Sequence, residues 1–366
     1  MRAHFFLILF LLLTISAQAA EGKLEIIADI MRGEMTPGGP LRILEGNVHL
    51  RQDGTSLYCD HASWYVDQHL TILEQNVRYD DGLKTLTADK VIYDDSGKIL
   101  NATGNVVLID SVYTIRSDRA VYYDLTDKIT AHNNVIMTDK KNNVTLTGDY
   151  ATFIQEKGYA TIEGNPVLIK QDSTGSEEIR IIGLRMEMID DSNMAYVTDS
   201  VKITHKNGTA YCDTAEFDRS RSRLKLMGQP LVWQNYDRSS GDDIELYFHD
   251  KSLDSVIIIG NAIVTSPADT LDVTGKINKL LGERITLTTE DNKLKTVQVD
   301  GRATSYYYIF DKDVYSGMNK VIGDRIKMEL KNQKIDKIMI ESDPESSVGI
   351  YYPPEVDIKI EHLEMR

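Results

Sequence analysis

Gly46-Asn47-Val48 opens a phrase that returns as Gln75-Asn76-Val77, as Gly104-Asn105-Val106, and finally as Asn133-Asn134-Val135, each step 29 residues long. A second phrase keeps the same interval: Leu57-Tyr58-Cys59-Asp60-His61-Ala62-Ser63-Trp64, then Leu86-Thr87-Ala88-Asp89-Lys90-Val91-Ile92-Tyr93, then Ile115-Arg116-Ser117-Asp118-Arg119-Ala120-Val121-Tyr122. A fixed period of this length marks a stacked repeat. Its β-branched and aromatic residues alternate with polar ones between Asp, Asn, Ser and Gly, the pattern of half-buried strands. Two polar turns fall in each period, among them Asp53-Gly54 and Asp80-Asp81-Gly82. Two antiparallel strands of about ten residues per repeat follow from that count.

The alternation changes phase at the repeated Asp. Apolar or small residues lie three and one positions before it and two and four positions after it. Strict alternation would put those two sets on opposite faces. A bulge that inserts one residue restores them to one face, and the Gly-Asn pair supplies a second crease in the neighbouring strand. The expected product is an all-β trough of creased strands with an apolar inside.

The repeat continues beyond this stretch. The fourth unit carries Leu146, Asp149, Ala151 and Phe153, and the sixth carries Tyr211-Cys212-Asp213-Thr214-Ala215-Glu216-Phe217. Between them the fifth departs from the pattern: Pro166 follows Asn165, and Leu184 stands in the place of Asp. That departure reads as a seam between two modules, residues 20–170 and 171–342. The last 24 residues, 343–366, contain Pro344 and Pro353-Pro354 and read as an irregular tail. Residues 1–19 read as a secretory signal peptide, with Arg2, an apolar run from Phe5 to Ile15, and Ala17-Gln18-Ala19 as the cleavage site. The expected location is therefore outside the cytoplasm.

The formal net charge is −15, a poor surface for nucleic acid, which is bound by neutralising phosphates. Cys59 and Cys212 sit in the same phrase, five repeats apart. Along a stack they would be on the order of 48 Å apart, against the ~7 Å a disulfide allows, so both are expected as free, buried thiols. The repeated Asp residues come singly, without the glycine-rich spacing of a calcium ladder, and are expected to satisfy backbone N–H groups freed at the crease. No metal-spaced histidines, nucleophile elbow or phosphate loop is present. Neither catalysis, a metal nor a cofactor is expected.

The inward set on the Asp-bearing strands is Leu57, Cys59, Ala62 and Trp64; Leu86, Ala88, Val91 and Tyr93; Ile115, Ala120 and Tyr122; Leu146, Ala151 and Phe153; and Ala215 and Phe217. Large residues recur at one inward position and small ones at another. Two readings remain open: a continuous slot along the stack, or a filled core.

The phrase Gly-Asn-Val, turn, Leu-x-Ala-Asp-x-Ala-x-Tyr, turn, Gly-Asn resembles the OstA-like or LptA-like repeat of lipopolysaccharide-transport proteins. It is clearest from Leu44 to Gly164, returns from Val201 to Asn261, and is faint from Gly282 to Ser342. The resemblance implies an open β-jelly-roll in the periplasm whose interior carries the acyl chains of lipid A, with the inward residues above as the lipid groove. It also implies end-to-end strand pairing with inner-membrane-anchored and outer-membrane transport partners, or self-association, through unpaired strand edges. A filled-core structural rod of the cell envelope is the alternative function, and a periplasmic hydrolase on a β-scaffold a third.

Overall fold

A computed structural model describes residues 25–356, apart from short breaks at 53, 112, 155–156, 190–192, 207, 250–251, 269–274, 292, 312–313, 333 and 345. The signal-peptide reading lies outside the described residues. Among the described residues the chain is mostly strand joined by short turns, with a 3-10 turn at Asp124–Thr126. No helix there is long and apolar enough to cross a membrane. Two compact units divide the chain, Met1–Ser192 and Asn193–Arg366.

Unit 1 is the expected meander. Gly39–Gln52, Thr55–Tyr65, Leu70–Asp80, Thr85–Asp94, Ile99–Ile109, Tyr113–Tyr123, Lys128–Asp139 and Val144–Ile154 pair antiparallel, each with the next. Aspartates build the turns. Asp81 Oδ1 accepts the backbone N–H groups of Leu83 and Lys84 at 2.8 and 2.6 Å, and Asp94 Oδ1 accepts those of Ser96 and Gly97 at 2.9 and 3.1 Å. Such side-chain acceptors replace the ladder partners that a reversing backbone loses.

The crease is a bulge, repeated. Glu45 pairs with His61 and Val48 with Cys59, so Gly46 and Asn47 together face Asp60 alone. Likewise Gln75 and Asn76 face Asp89, and Gly104 and Asn105 face Asp118. Both residues of each pair are left-handed, with φ of +74° and +47° at Gly46 and Asn47 and +78° and +47° at Gly104 and Asn105. Gly and Asn are the residues that enter this region at least cost, which accounts for the phrase. The extra residue thus lies in the Gly-Asn strand, and opposite it the Asp strand changes phase, with Leu57, Cys59, Ala62 and Trp64 all buried.

The repeated carboxylate does something other than expected. Asn76 Nδ2 donates to Asp60 Oδ2 at 2.7 Å, Asn105 Nδ2 to Asp89 Oδ2 at 3.0 Å, Asn134 Nδ2 to Asp118 Oδ2 at 2.9 Å, and Asn261 Nδ2 to Asp242 Oδ1 at 3.1 Å. The left-handed pair turns each Asn side chain back over the preceding strand, so the carboxylate clips a side-chain amide across the outside of the crease. Backbone N–H capture occurs at Asp324, whose Oδ2 accepts from Asp343 at 3.0 Å.

At the fifth repeat Gly164 and Asn165 keep the left-handed pair, but Pro166 has no N–H to give the ladder. One creased strand becomes two, Tyr159–Glu163 and Val167–Gln171, which pair with opposite halves of Val144–Ile154. These strands and their partners Glu177–Ile182 and Arg185–Ile189 stay hydrogen-bonded within unit 1. The two compact units meet in the chain at the end of this fifth repeat, between Ser192 and Asn193.

Unit 2 repeats the crease in Met194–His205 and Gly208–Asp218. Its longest strands are Ser252–Pro267, Ile277–Glu290, Lys293–Asp311 and Val314–Lys331. Gly228-Gln229-Pro230 splits its neighbour into Arg223–Met227 and Leu231–Gln234, as Pro166 does in unit 1. The segment after residue 342 is less irregular than expected: Val348–Tyr352 pairs with Met318–Ile322. Pro344 precedes that strand and Pro353-Pro354 follow it, so none removes a ladder donor.

Cys59 and Cys212 are free and buried. Burial pushes the Cys59 thiol up to about 12, helped by the Asp60 charge, and Cys212 up to about 11. The thiolate is the reactive form, so neither should react with an aromatic disulfide reagent at pH 8 in the native protein. Two equivalents should appear on addition of guanidinium. Rapid native labelling of either would show that its repeat opens.

Candidate functional site

The creased strands align their inward side chains into rows running across unit 1. One arm of the trough carries Leu57, Tyr79, Leu86, Leu108, Ile115, Met137, Leu146 and Leu168 in direct register. The other carries Trp64, Thr71, Tyr93, Leu100, Tyr122, Ile129 and Phe153. Between them, beside the crease, runs a floor of Ala62, Leu73, Val91, Ala102, Ala120, Ala131, Ala151 and Ile162.

The sequence left slot and filled core open, and burial differs along unit 1. From Val48 to Val106 the inward residues form one dry cluster that includes Leu57, Cys59, Ala62, Leu86, Ala88, Val91 and Tyr93; Trp64 is buried beside Arg42, whose guanidinium lies 4.5 Å from its ring centre. From Leu108 onward the arms are half-exposed at Leu108, Ile115, Tyr122, Ile129, Leu146 and Phe153, while Ser117, Ala131, Val135 and Ala151 along the crease stay buried. At the transition lies a small cavity of about 60 Å³, partly open to solvent, lined by Leu86, Leu100, Ala102, Leu108, Ile115, Ala120, Tyr122, Ile129 and neighbours. Of the residues expected in the groove, Leu86, Ile115, Ala120 and Tyr122 meet there.

In unit 2 the row Phe217, Leu224, Leu246, Val256, Leu287, Val297 and Met328 is likewise in register. Phe217 is 38% exposed and Leu224 to Leu287 half-exposed, whereas Val297 and Met328 are buried. Ala215 belongs to the dry floor, as do Ile244, Ile258 and Ile285. Leu100, Ala102, Leu108, Ile129 and Ala131 were missing from the expected set because it was read off Asp-bearing strands alone. The same alternation around Gly104-Asn105 and Asn133-Asn134 marks them.

Polar groups sit at the rim. The Tyr122 hydroxyl donates to Asp127 Oδ1 at 3.0 Å, and those of Tyr93 and Tyr79 reach Asp95 and Asp81 at 3.4 Å. Burial raises all three phenols above their usual range, with the rim carboxylates adding to the effect. They remain neutral donors at any physiological pH. Lys84 and Asp127 border the cavity mouth. No group of three or more His, Cys, Asp or Glu residues able to hold a metal ion occurs among the described residues.

A largely apolar trough with carboxylates at its rim can enclose an apolar chain. Residues 24–153 match the family described as OstA-like protein, and residues 114–252 match the LptA/(LptD N-terminal domain) LPS transport proteins. Residues 24–252 thus carry the repeats of the OstA-like and LptA/(LptD N-terminal domain) families. OstA-like proteins are transport components rather than enzymes. Among solved structures, the chain is similar to LptH of Pseudomonas aeruginosa, described as the LptA homologous periplasmic component of the conserved lipopolysaccharide transport device. The two are 16% identical over 40% of this chain and 95% of that one, with a TM-score of 0.31. No curated protein matches this OstA-like chain.

Proposed function

We propose that this protein is a periplasmic lipopolysaccharide-transport component that shields the acyl chains of lipid A in its apolar trough while the sugars stay in water. The half-open arms over a dry crease, from Leu108 to Phe153, carry the reading: they keep apolar surface beside solvent where a filled rod would bury it. The family match supports the cargo. Strand edges support partners on the inner-membrane and outer-membrane sides. Among the described residues Ile30–Thr36 pairs with Gly39–Gln52 alone and exposes Ile30, Met31 and Met35, an edge suited to strand addition.

The closed core from Val48 to Val106 favours the structural-rod reading over that stretch, and one substitution separates the two. Ala120→Asp puts a carboxylate on the cavity wall, where an acyl chain would strip its water. Binding of purified lipopolysaccharide, followed by native mass spectrometry, should weaken at least about ten-fold, equivalent to about 1.4 kcal/mol. Arg119→Asp, one residue away on the outer face beside Asn101, should leave binding within about two-fold. Equal effects, or no lipopolysaccharide bound to the native protein, would move the assignment to the rod.

A further inference from the structure

In unit 1 the floor of the trough changes size along its length. Ala62, Leu73 and Val91 lead into Ala102, Ala120, Ala131 and Ala151, four alanines on four consecutive strands, before Ile162 ends the run. Where the floor is Leu73 and Val91, the arm above it is closed: Tyr93, directly paired with Thr71 and Leu100, is 1% exposed. Where the floor turns to alanine, the arms become half-exposed and the cavity begins, with Leu86 and Leu100 on its wall. Each missing side-chain volume is space the arms would have to collapse into, and strands held in ladder register on both sides cannot move independently to fill it. Tyr93 is further held from outside by Asp95, which also accepts Lys98 Nζ at 2.5 Å.

We infer that the acyl path in unit 1 is blind at its N-terminal end: chains lie over the alanine floor and stop at the wall made by Leu73, Val91 and Tyr93. This rests on the lipid reading above and adds a direction to it. Acyl chains in unit 1 enter and leave from the Phe153 side or through the open mouth, and Val48 to Leu86 serve as a packed end-piece that holds no lipid. The inward residues that set the stop are then specificity determinants, because they fix how far a chain can extend.

A photoreactive benzoylphenylalanine placed singly at Trp64, Tyr93, Ile115, Ile129 or Phe153 of the full chain, irradiated with lipopolysaccharide vesicles, maps the path. Adducts are expected from Ile115, Ile129 and Phe153 and not from Trp64 or Tyr93, in proteins shown by thermal melts to remain folded. With the probe at Trp64, adding Val91→Ala and Tyr93→Ala should lengthen the path and create an adduct there. Ala120→Leu should shorten it and lower the Ile115 and Ile129 adducts about five-fold, as filling the space would require. Adducts at Trp64 and Tyr93 as strong as at Ile129 would overturn the stop while leaving the lipid reading intact. Adducts at none of the five would overturn the lipid reading, and the stop with it.

Discussion

Gly104→Ala is expected to destabilise unit 1 by about 2 kcal/mol, far more than a glycine-to-alanine change in an ordinary strand. Two costs combine. At φ +78° an L side chain meets its own backbone, which costs roughly 1–2 kcal/mol. A Cβ built there would lie 2.2 Å from Asp89 Oδ2 and 2.8 Å from Asp89 Cβ, so the carboxylate must swing away and release Asn105. That hydrogen bond is exposed and its loss is worth less than the backbone strain. Gln75 and Asn133 occupy the equivalent place in other repeats at φ +65° and +60°, so the crease tolerates a side chain at a price in strain. Urea unfolding of Gly104→Ala, Asp89→Ala and the double variant separates the costs. If the clash dominates, the double variant recovers most of the stability lost by Gly104→Ala. If strain dominates, it recovers little. A Gly104→Ala protein as stable as the native one would mean that the left-handed pair does not require glycine.

The crease was legible in the sequence because it is a matter of parity. Leu57 and Cys59 before Asp60, and Ala62 and Trp64 after it, cannot share a face under strict alternation, and the register does shift there, although the extra residue lies in the Gly46-Asn47 pair of the neighbouring strand. The role of Asp60 was not legible. Its partner Asn76 lies sixteen residues on, and only the paired positive φ of Gln75 and Asn76 brings that amide back. Nor was the length of the slot. Whether a trough closes depends on side chains stacked across strands, such as Leu73 on Val91 or Ala102 on Ala120, which stand 18 residues apart in the chain. Pro166 was read as one sign of a seam in the fifth repeat, and there it splits one strand while the halves keep their partners.

Sequence reasoning treats Ala120 and Ala151 as equivalent inward alanines, and the structure separates them. Ala151 is 0% exposed, between Ala131 and Ile162 on the floor. A carboxylate at that position has neither water nor a cation to meet, and a buried unpaired charge costs several kcal/mol. Ala151→Asp should therefore lose about 3 kcal/mol or more, with a correspondingly lower melting temperature and early thiol exposure at Cys59 if unit 1 unfolds cooperatively. Ala120 borders the open cavity, where a carboxylate can keep part of its hydration, so Ala120→Asp should melt within a few degrees of the native protein while losing lipid. The two variants thus set packing against occupancy. Equal loss of stability in both would mean that the cavity closes in solution and the alanine floor is simply core. Unequal stability with lipid lost in both is the outcome that a dry crease beneath an open groove requires.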